Sequence, residues 1–277
     1  MMKTFLLCIL ALITLGFPLA AQQPGAGQAY ITLGRVDTLP SRSLDQTRQL
    51  NIYLPPGYSP DSATTYPVIY LLDGSVDEDF IHICGIVQFL NFPWVNRLPP
   101  SIVVGIANRD RRRDFTYPSR YKEDLQACPT SGGSARFISF IREELKPYIR
   151  QHYRTNSQAT LVGESLGGLL ALEILLKDPG LFNNYLIVSP SLWWDHESLI
   201  DYAQKHLGQA ASGGRKVYLS AGSEGRRMQQ DMNRLFALLK KQPSSRVQAW
   251  YVPFPGENHA TIMHLSAYKG FELLNHL

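Results

Sequence analysis

Residues 163–168 read Gly-Glu-Ser-Leu-Gly-Gly, with the apolar run ATLV before them and LLALEILL after them. A serine at the tip of a sharp strand-to-helix turn is held in a strained backbone conformation. The residues two before and two after it must be small for the two arms to pass, and Gly163, Gly167 and Gly168 meet that need. A helix starting directly behind Ser165 aims its N-terminal amides and the positive end of its dipole at the hydroxyl, which favours the negative charge of a developing oxyanion. The chemistry implied is nucleophilic attack on an acyl carbon.

A serine hydroxyl attacks well only when a base removes its proton, and with this kind of turn the partners follow in the order acid, then histidine. Of the seven histidines, four lie late enough: His206, His259, His264 and His276. His259 stands in the Pro/Gly/Asn-rich segment PFPGENHATIM, between a strand and the last helix, which is where a base at the carboxyl end of a strand belongs. His264 falls in a helical stripe, His276 at the chain end and His206 on a polar helix, so these three are expected to pack or to face solvent. Glu224, just after the strand RKVYLSAG, is the expected acid, accepting a hydrogen bond from one ring nitrogen of His259. Asp231 is the alternative, although the start of a helix suits a carboxylate on its own account. Two backbone amides are needed to hold the oxyanion. The expected donors are Leu166, behind the nucleophile, and Ser75, past the Asp73-Gly74 turn. Asp73 reads as turn-forming, since its place in the chain is wrong for the acid.

The elements that must position these groups are legible as well. RQLNIYLP is an expected strand ending at a Pro-Pro-Gly turn. VIYLLD is a continuous apolar run of strand length, the mark of a strand covered on both faces. Further runs follow at IVVGIA, ATLVG, YLIVS, RKVYLSAG and VQAWYVP. Between them lie helix-period segments. ARFISFIREELKPYIRQHY puts Phe137, Ile138, Ile141, Leu145, Tyr148 and Ile149 on one face, and MNRLFALLKK and MHLSAYKGFELL carry similar stripes. Strands alternating with helices predict an α/β fold with a mostly parallel central sheet flanked by helices. The stretch from about Asp77 to Cys128 is less regular and is expected to supply surface loops around a pocket.

The chain has 277 residues, 44% hydrophobic and 18% charged, within the range of one globular domain with a large core. A net charge of +4 and a pI near 8.9, with basic residues scattered except at residues 109–113, give a nucleic-acid role little support. Residues 1–21 combine Lys3, an apolar run and small residues at Ala20 and Ala21. This is the layout of a signal peptide cleaved near Ala21, and it is too short and too interrupted by Pro18 to span a bilayer. Residues 22–29 read as a flexible mature N-terminus and residues 30–277 as a single domain exported to the periplasm or the medium, without stable membrane insertion. Oligomeric state is not encoded in any pattern here. Cys84 and Cys128 remain in the mature chain, either as a disulfide or as two separate buried thiols, and sequence does not decide between these.

With these residues assembled, the chain resembles the esterase family of the α/β-hydrolases that includes esterase D, the mycobacterial mycolyltransferases and the bacterial siderophore esterases of the enterobactin and salmochelin type, the last most closely. The resemblance runs over nearly the whole mature chain, through VIYLLDG, GIANRDRRRDFTYP, GGSARFISFIREELKPYI, LVGESLGG, SPSLWWD and PGENHATI. It implies an α/β-hydrolase fold, a nucleophile at Ser165, a base at His259, an acid loop at GSEG containing Glu224, and oxyanion amides at Ser75 and Leu166. It implies no cofactor and no metal.

The segment NRDRRRDFTYP sets Arg109, Arg111, Arg112 and Arg113 beside Phe115 and Tyr117. Guanidinium groups bind oxyanions and stack on rings, so Arg109, Arg112, Arg113 and Tyr117 are candidates for an anionic or catecholate substrate. A structural loop with its arginines in ion pairs is the alternative. Trp193 and Trp194 either wall an acyl pocket or close the core beside it. The function expected is hydrolysis of a carboxylic ester or lactone of a small molecule through an acyl-enzyme on Ser165. Siderophore trilactones and acetyl or feruloyl groups on carbohydrate are both open as substrates, since fold and triad do not separate them. An acyltransferase and a non-catalytic binding protein on the same scaffold are the other classes to be tested.

Overall fold

Apolar runs that cannot all face water must be covered on both sides, and the arrangement that does so dominates this chain. A computed structural model describes residues 29, 31–207 and 214–275. The signal peptide and the flexible N-terminus expected from the sequence lie outside the described residues, apart from Ala29. The stretch Leu33–Leu277 forms one compact unit; of Met1–Thr32 only Ala29, Ile31 and Thr32 are described.

Eight strands are described: β1 (Arg35–Ser41), β2 (Gln46–Tyr53), β3 (Tyr66–Leu71), β4 (Ile102–Ile106), β5 (Thr155–Glu164), β6 (Asn184–Val188), β7 (Arg215–Gly222) and β8 (Val247–Phe254). They form one sheet in the order β1-β2-β4-β3-β5-β6-β7-β8. The first two strands run antiparallel to their neighbours, and every pairing from β4 to β8 is parallel. The helices are α1 (Phe80–Asn91), α2 (Arg111–Asp114), α3 (Lys122–Ala127), α4 (Ser134–Phe140), α5 (Lys146–His152), α6 (Leu166–Lys177), α7 (Ser198–His206), α8 (Arg226–Lys240) and α9 (Ile262–Asn275).

The period-2 geometry of a strand sends alternate residues to opposite faces. Ile69 and Leu71 of β3 join Val103, Val162, Leu186 and Tyr218 against α1 and α9. Val68 and Tyr70 join Val104, Leu161, Ile187 and Leu219 against α4, α5, α6 and α8 on the other face. The α/β fold with a mostly parallel sheet is thus as expected. Residues 134–152 are helical as the stripe predicts, but with a π turn over Ile141–Leu145 that joins α4 to α5. Pro147 follows at once and has no N–H to give the preceding turn.

Two elements depart from the sequence reading. β1, whose residues are mostly exposed and include Pro40, pairs only with β2 at the sheet edge, where strand patterning is weakest. The stretch after Asp77 is no simple loop. It contains α1, twelve residues with Ile83, Cys84, Ile86, Val87 and Leu90 buried against α9 and the sheet, so the irregular parts are residues 92–101 and the stretch beyond β4.

Cys84 and Cys128 are both free and buried, one in each of the two core layers, with the sheet between them. Of the two alternatives, separate buried thiols is the one observed, and burial pushes the Cys84 thiol well above its ordinary pKa and raises that of Cys128. Among the described residues no helix is long and apolar enough to cross a membrane.

Because β3 and β5 to β8 are parallel, the segments that leave their carboxyl ends share one rim. Asp73 and Ser75 follow β3, Ser165 follows β5, Ser189 follows β6, Glu224 follows β7 and His259 follows β8.

Candidate active site

Ser165 caps α6 with φ 57° and ψ −118°, a backbone conformation that side chains rarely adopt. The packing leaves no other path. A Cβ on Gly163 would stand 2.5 Å from the Gly167 carbonyl oxygen, and one on Gly168 would stand 3.0 Å from the Val188 carbonyl oxygen. Gly167 is less confined, its nearest contact being Asp73 Oδ2 at 3.3 Å. The backbone of Ser165 is pinned on both sides: its amide donates to the Val188 carbonyl at 3.1 Å, and its carbonyl accepts from the amides of Leu169 and Ser191 at 3.0 Å. The strained turn expected of the sequence is present. Its hydroxyl lies 3.3 Å from Ser191 Oγ. Leu166 opens α6, so its amide has no intrahelical carbonyl to donate to.

His259 Nδ1 lies 2.5 Å from Glu224 Oε2, with the carboxylate side chain 8% exposed and the imidazole 49% exposed. The other carboxylate oxygen accepts from Ser189 Oγ at 2.5 Å and from the Gly222 amide at 3.0 Å. Glu224 is therefore held in place by two donors before it meets the ring, and Nε2 is left as the ring nitrogen that can take a proton. The two loops are joined to each other. The Ser223 amide donates to the Glu257 carbonyl at 2.7 Å, Ser223 Oγ donates to the Pro255 carbonyl at 2.7 Å, and a Cβ on Gly222 would meet Glu257 O at 2.7 Å. It is Glu224, not Asp231, that touches the imidazole; Asp231 sits buried in α8, with Arg234 3.8 Å away. His264 is exposed on α9 and stacks on His82, and His206 stacks on Tyr202. His276 lies outside the described residues.

The loop after β3 is held from several sides. Asp73, with φ 52°, takes a two-point ion pair from Arg111 at 2.7 and 2.9 Å and a bond from Asn108 Nδ2 at 2.5 Å. A turn-forming role fits it. Gly74 passes so close to β4 that a Cβ on it would stand 2.4 Å from Gly105 Cα. Buried Asn51 donates to the Gly74 carbonyl at 2.7 Å. In a trans peptide the C=O and the following N–H point opposite ways, so Asn51 turns the Ser75 amide away from β2. In this structure that amide donates to Glu78 Oε2 at 3.2 Å.

Glu164, beside Ser165, is strongly altered by its surroundings. Burial pushes its carboxyl from 4.5 up to about 8, the negative charges of Asp79, Asp73 and Glu224 add to the rise, and Arg111 opposes it. At neutral pH its protonated form therefore predominates. The folded chain keeps a proton there that the unfolded chain loses above about pH 4.5, so this group's contribution to stability should fall as pH rises from about 4.5 to about 8 and then level off. Glu164→Gln keeps the neutral shape and should remove that slope. The gain over wild type should be nil near pH 4 and should reach up to a few kcal/mol at pH 8.5, since each tenfold change in proton affinity is worth about 1.4 kcal/mol. Urea unfolding at the two pH values checks it, and equal slopes in both proteins would refute it.

Of the residues expected to hold substrate, Trp193 alone lines the cavity of about 270 Å³ beside the imidazole, with Leu192, Met228, Arg227, Asp231, Glu224 and His259. Three others are placed elsewhere. Trp194 is 0% exposed and donates its indole N–H to the Tyr117 carbonyl at 2.9 Å, because the core of that face closes over it. Tyr117 is buried, with its hydroxyl 3.1 Å from Ser198 Oγ. Arg113 donates to Asp114, which in turn pairs with buried Arg48, and the Arg113 stem packs on Gly133. For Arg111 and Arg113 the structural alternative holds, while Arg109 and Arg112 are exposed. Sequence reading passed over Asn51, Ser189, Glu164 and Glu78. Only Glu78 left a local signal: Ser75-Val76-Asp77-Glu78 has the Ser-x-x-Glu spacing of a capping box.

Comparison with known proteins agrees with this geometry. The family model named Esterase matches residues 41–263. The ferri-bacillibactin esterase BesA of Bacillus subtilis is 28% identical over 245 residues, covering 80% of this chain and 83% of its own. Among solved structures, an IroE-like serine hydrolase from Shewanella oneidensis superposes with a TM-score of 0.79 at 30% identity, over 87% of this chain and 80% of that one. The BES protein from Bacillus cereus does so with a TM-score of 0.80 at 29% identity, over 92% of this chain and 100% of that one. A parallel sheet whose fifth strand ends in a strained serine, matched over most of its length by such relatives, has one reading: the chain belongs to the Esterase family and is a serine carboxylic ester hydrolase of the α/β-hydrolase fold.

Proposed function

We propose that Ser165, His259 and Glu224 form the catalytic triad and that the substrate is an ester or lactone of the siderophore type. His259 Nε2 takes the hydroxyl proton of Ser165 as Oγ bonds to the acyl carbon. The carbonyl oxygen becomes an oxyanion held by the amides of Leu166 and Ser75. Collapse expels the alcohol, which leaves with the proton from His259, and an acyl-enzyme remains. Water then attacks through the same base, releasing the acid and restoring the serine. The observation that carries this reading is the contact of buried Glu224 with His259 Nδ1 at 2.5 Å, on the rim where the strained serine stands.

The siderophore assignment is supported by a relative named for ferri-bacillibactin and by a cavity walled by Trp193, which suits an aromatic acyl group. Export follows from the signal-like residues 1–21. A panel of iron-free and ferric catecholate trilactones, acetylated and feruloylated sugars and p-nitrophenyl esters tests the substrate. A kcat/KM for a trilactone at least about tenfold above the best sugar ester is the expected result. Preference for a sugar ester, or transfer product exceeding free acid when an alcohol is present, would overturn it.

A further inference from the structure

We propose that Glu78 is a built-in competitor for the oxyanion site, occupying the Ser75 amide until a substrate carbonyl displaces it. The proposal rests on the assignment of Ser75 as an oxyanion donor. The peptide between Gly74 and Ser75 is fixed from behind, where Asn51 Nδ2 donates to its carbonyl at 2.7 Å from within the core. Gly74 cannot shift toward β4, since Gly105 Cα already lies where a side chain would begin. The amide on the other side of this rigid plane therefore has one direction to point, and what it meets is the Glu78 carboxylate at 3.2 Å.

Glu78 is itself held in that pose. Its other oxygen accepts from Asn108 Nδ2 at 2.9 Å, and the Glu78 amide donates back to the Ser75 carbonyl at 3.1 Å. This is the returning half of a capping box, in which a glutamate three residues on satisfies the amide of the serine. Elsewhere such a bond only starts a helix. Here the amide it uses is one that hydrolysis requires. A carboxylate is also a strong hydrogen-bond acceptor, so it competes well with a neutral ester carbonyl and poorly with a full oxyanion. Displacing it costs the same in the Michaelis complex as in the tetrahedral state when both use the amide, so the competitor loosens substrate holding, read in KM, and leaves kcat little changed. Glu78 acts through Ser75 and is a positioning residue.

The test compares wild type, Glu78→Ala and Glu78→Gln in three readouts: the rate of Ser165 labelling by a fluorophosphonate, kcat and KM for p-nitrophenyl butyrate, and the 15N–1H resonance of the Ser75 amide. Removing one competing hydrogen bond to a charged group should raise the labelling rate and kcat/KM in Glu78→Ala by about fivefold. KM should carry most of the change, and the Ser75 amide proton should move upfield. Glu78→Gln, which keeps a neutral acceptor, should fall between the two. If wild type labels at Ser165 while both variants label at the same rate or more slowly and the Ser75 resonance stays in place, the proposal is overturned and the triad stands. If wild type does not label at Ser165 at all, the triad and this proposal fall together.

Discussion

Ser165→Ala is expected to lower kcat for p-nitrophenyl butyrate by roughly 10⁶-fold, as loss of the nucleophile does in a well-studied serine hydrolase, while leaving the protein as stable as wild type or slightly more so. Activity is lost because no other hydroxyl can take over. Ser191 Oγ lies 3.3 Å from Ser165 Oγ, but Ser191 is buried and its amide is tied to the Ser165 carbonyl. Stability is kept because the φ of 57° at position 165 is imposed by Gly163, Gly168 and the hydrogen bonds around the turn, none of which involves the hydroxyl. Thermal unfolding and steady-state kinetics on the same sample decide it. Activity within tenfold of wild type would remove Ser165 from the mechanism.

Glu224→Gln should lower kcat by about 10⁴-fold, the scale seen when a triad carboxylate becomes an amide and the imidazole is held in the wrong tautomer. The orientation of the new amide follows from its neighbours. Ser189 Oγ and the Gly222 amide both donate to Oε1, so the amide oxygen stays there and the NH₂ turns to His259 Nδ1. That nitrogen must then accept, which places the ring proton on Nε2, where a base is needed. Glu224→Ala removes the orienting partner but imposes no tautomer, and should cost less than the glutamine variant. Ring 15N shifts of His259 report the tautomer directly. Two variants within about threefold of wild type, with the Nδ1 proton retained, would assign the acid elsewhere.

The sheet and the site were legible to different degrees, for different reasons. β3 to β7 were readable because a strand covered on both faces must be apolar over most of its length, as at VIYLL and YLIV, while β8, at the far edge, was readable from its β-branched and aromatic residues in VQAWYVP. β1 was not, since an edge strand with exposed residues carries no such demand. α1 was hidden because FIHICGIVQFL is apolar nearly throughout, so no polar stripe sets off a helical face. Ser165, His259 and Glu224 could be singled out as candidates because each follows a recognisable strand and each residue type suits the role proposed for it. Asn51 and Ser189 could not. They act through single hydrogen bonds to loops far away in the chain, at Gly74 and Glu224, and nothing near them in sequence announces it. The two tryptophans divide between the alternatives left open for them. Trp193 and Trp194 are adjacent, so they point to opposite sides of their loop, one into the cavity and the other into the core.

Cys84 and Cys128 are kept apart by the full thickness of a β-sheet. No oxidant can link them without first dismantling the fold, so the native state holds no covalent staple between these two positions. The fold is complete without a disulfide, so equilibrium stability in urea should be the same with and without dithiothreitol. An enzyme built this way needs no disulfide to mature, and what its folding asks of the surroundings is that the two thiols stay free until the core closes over them.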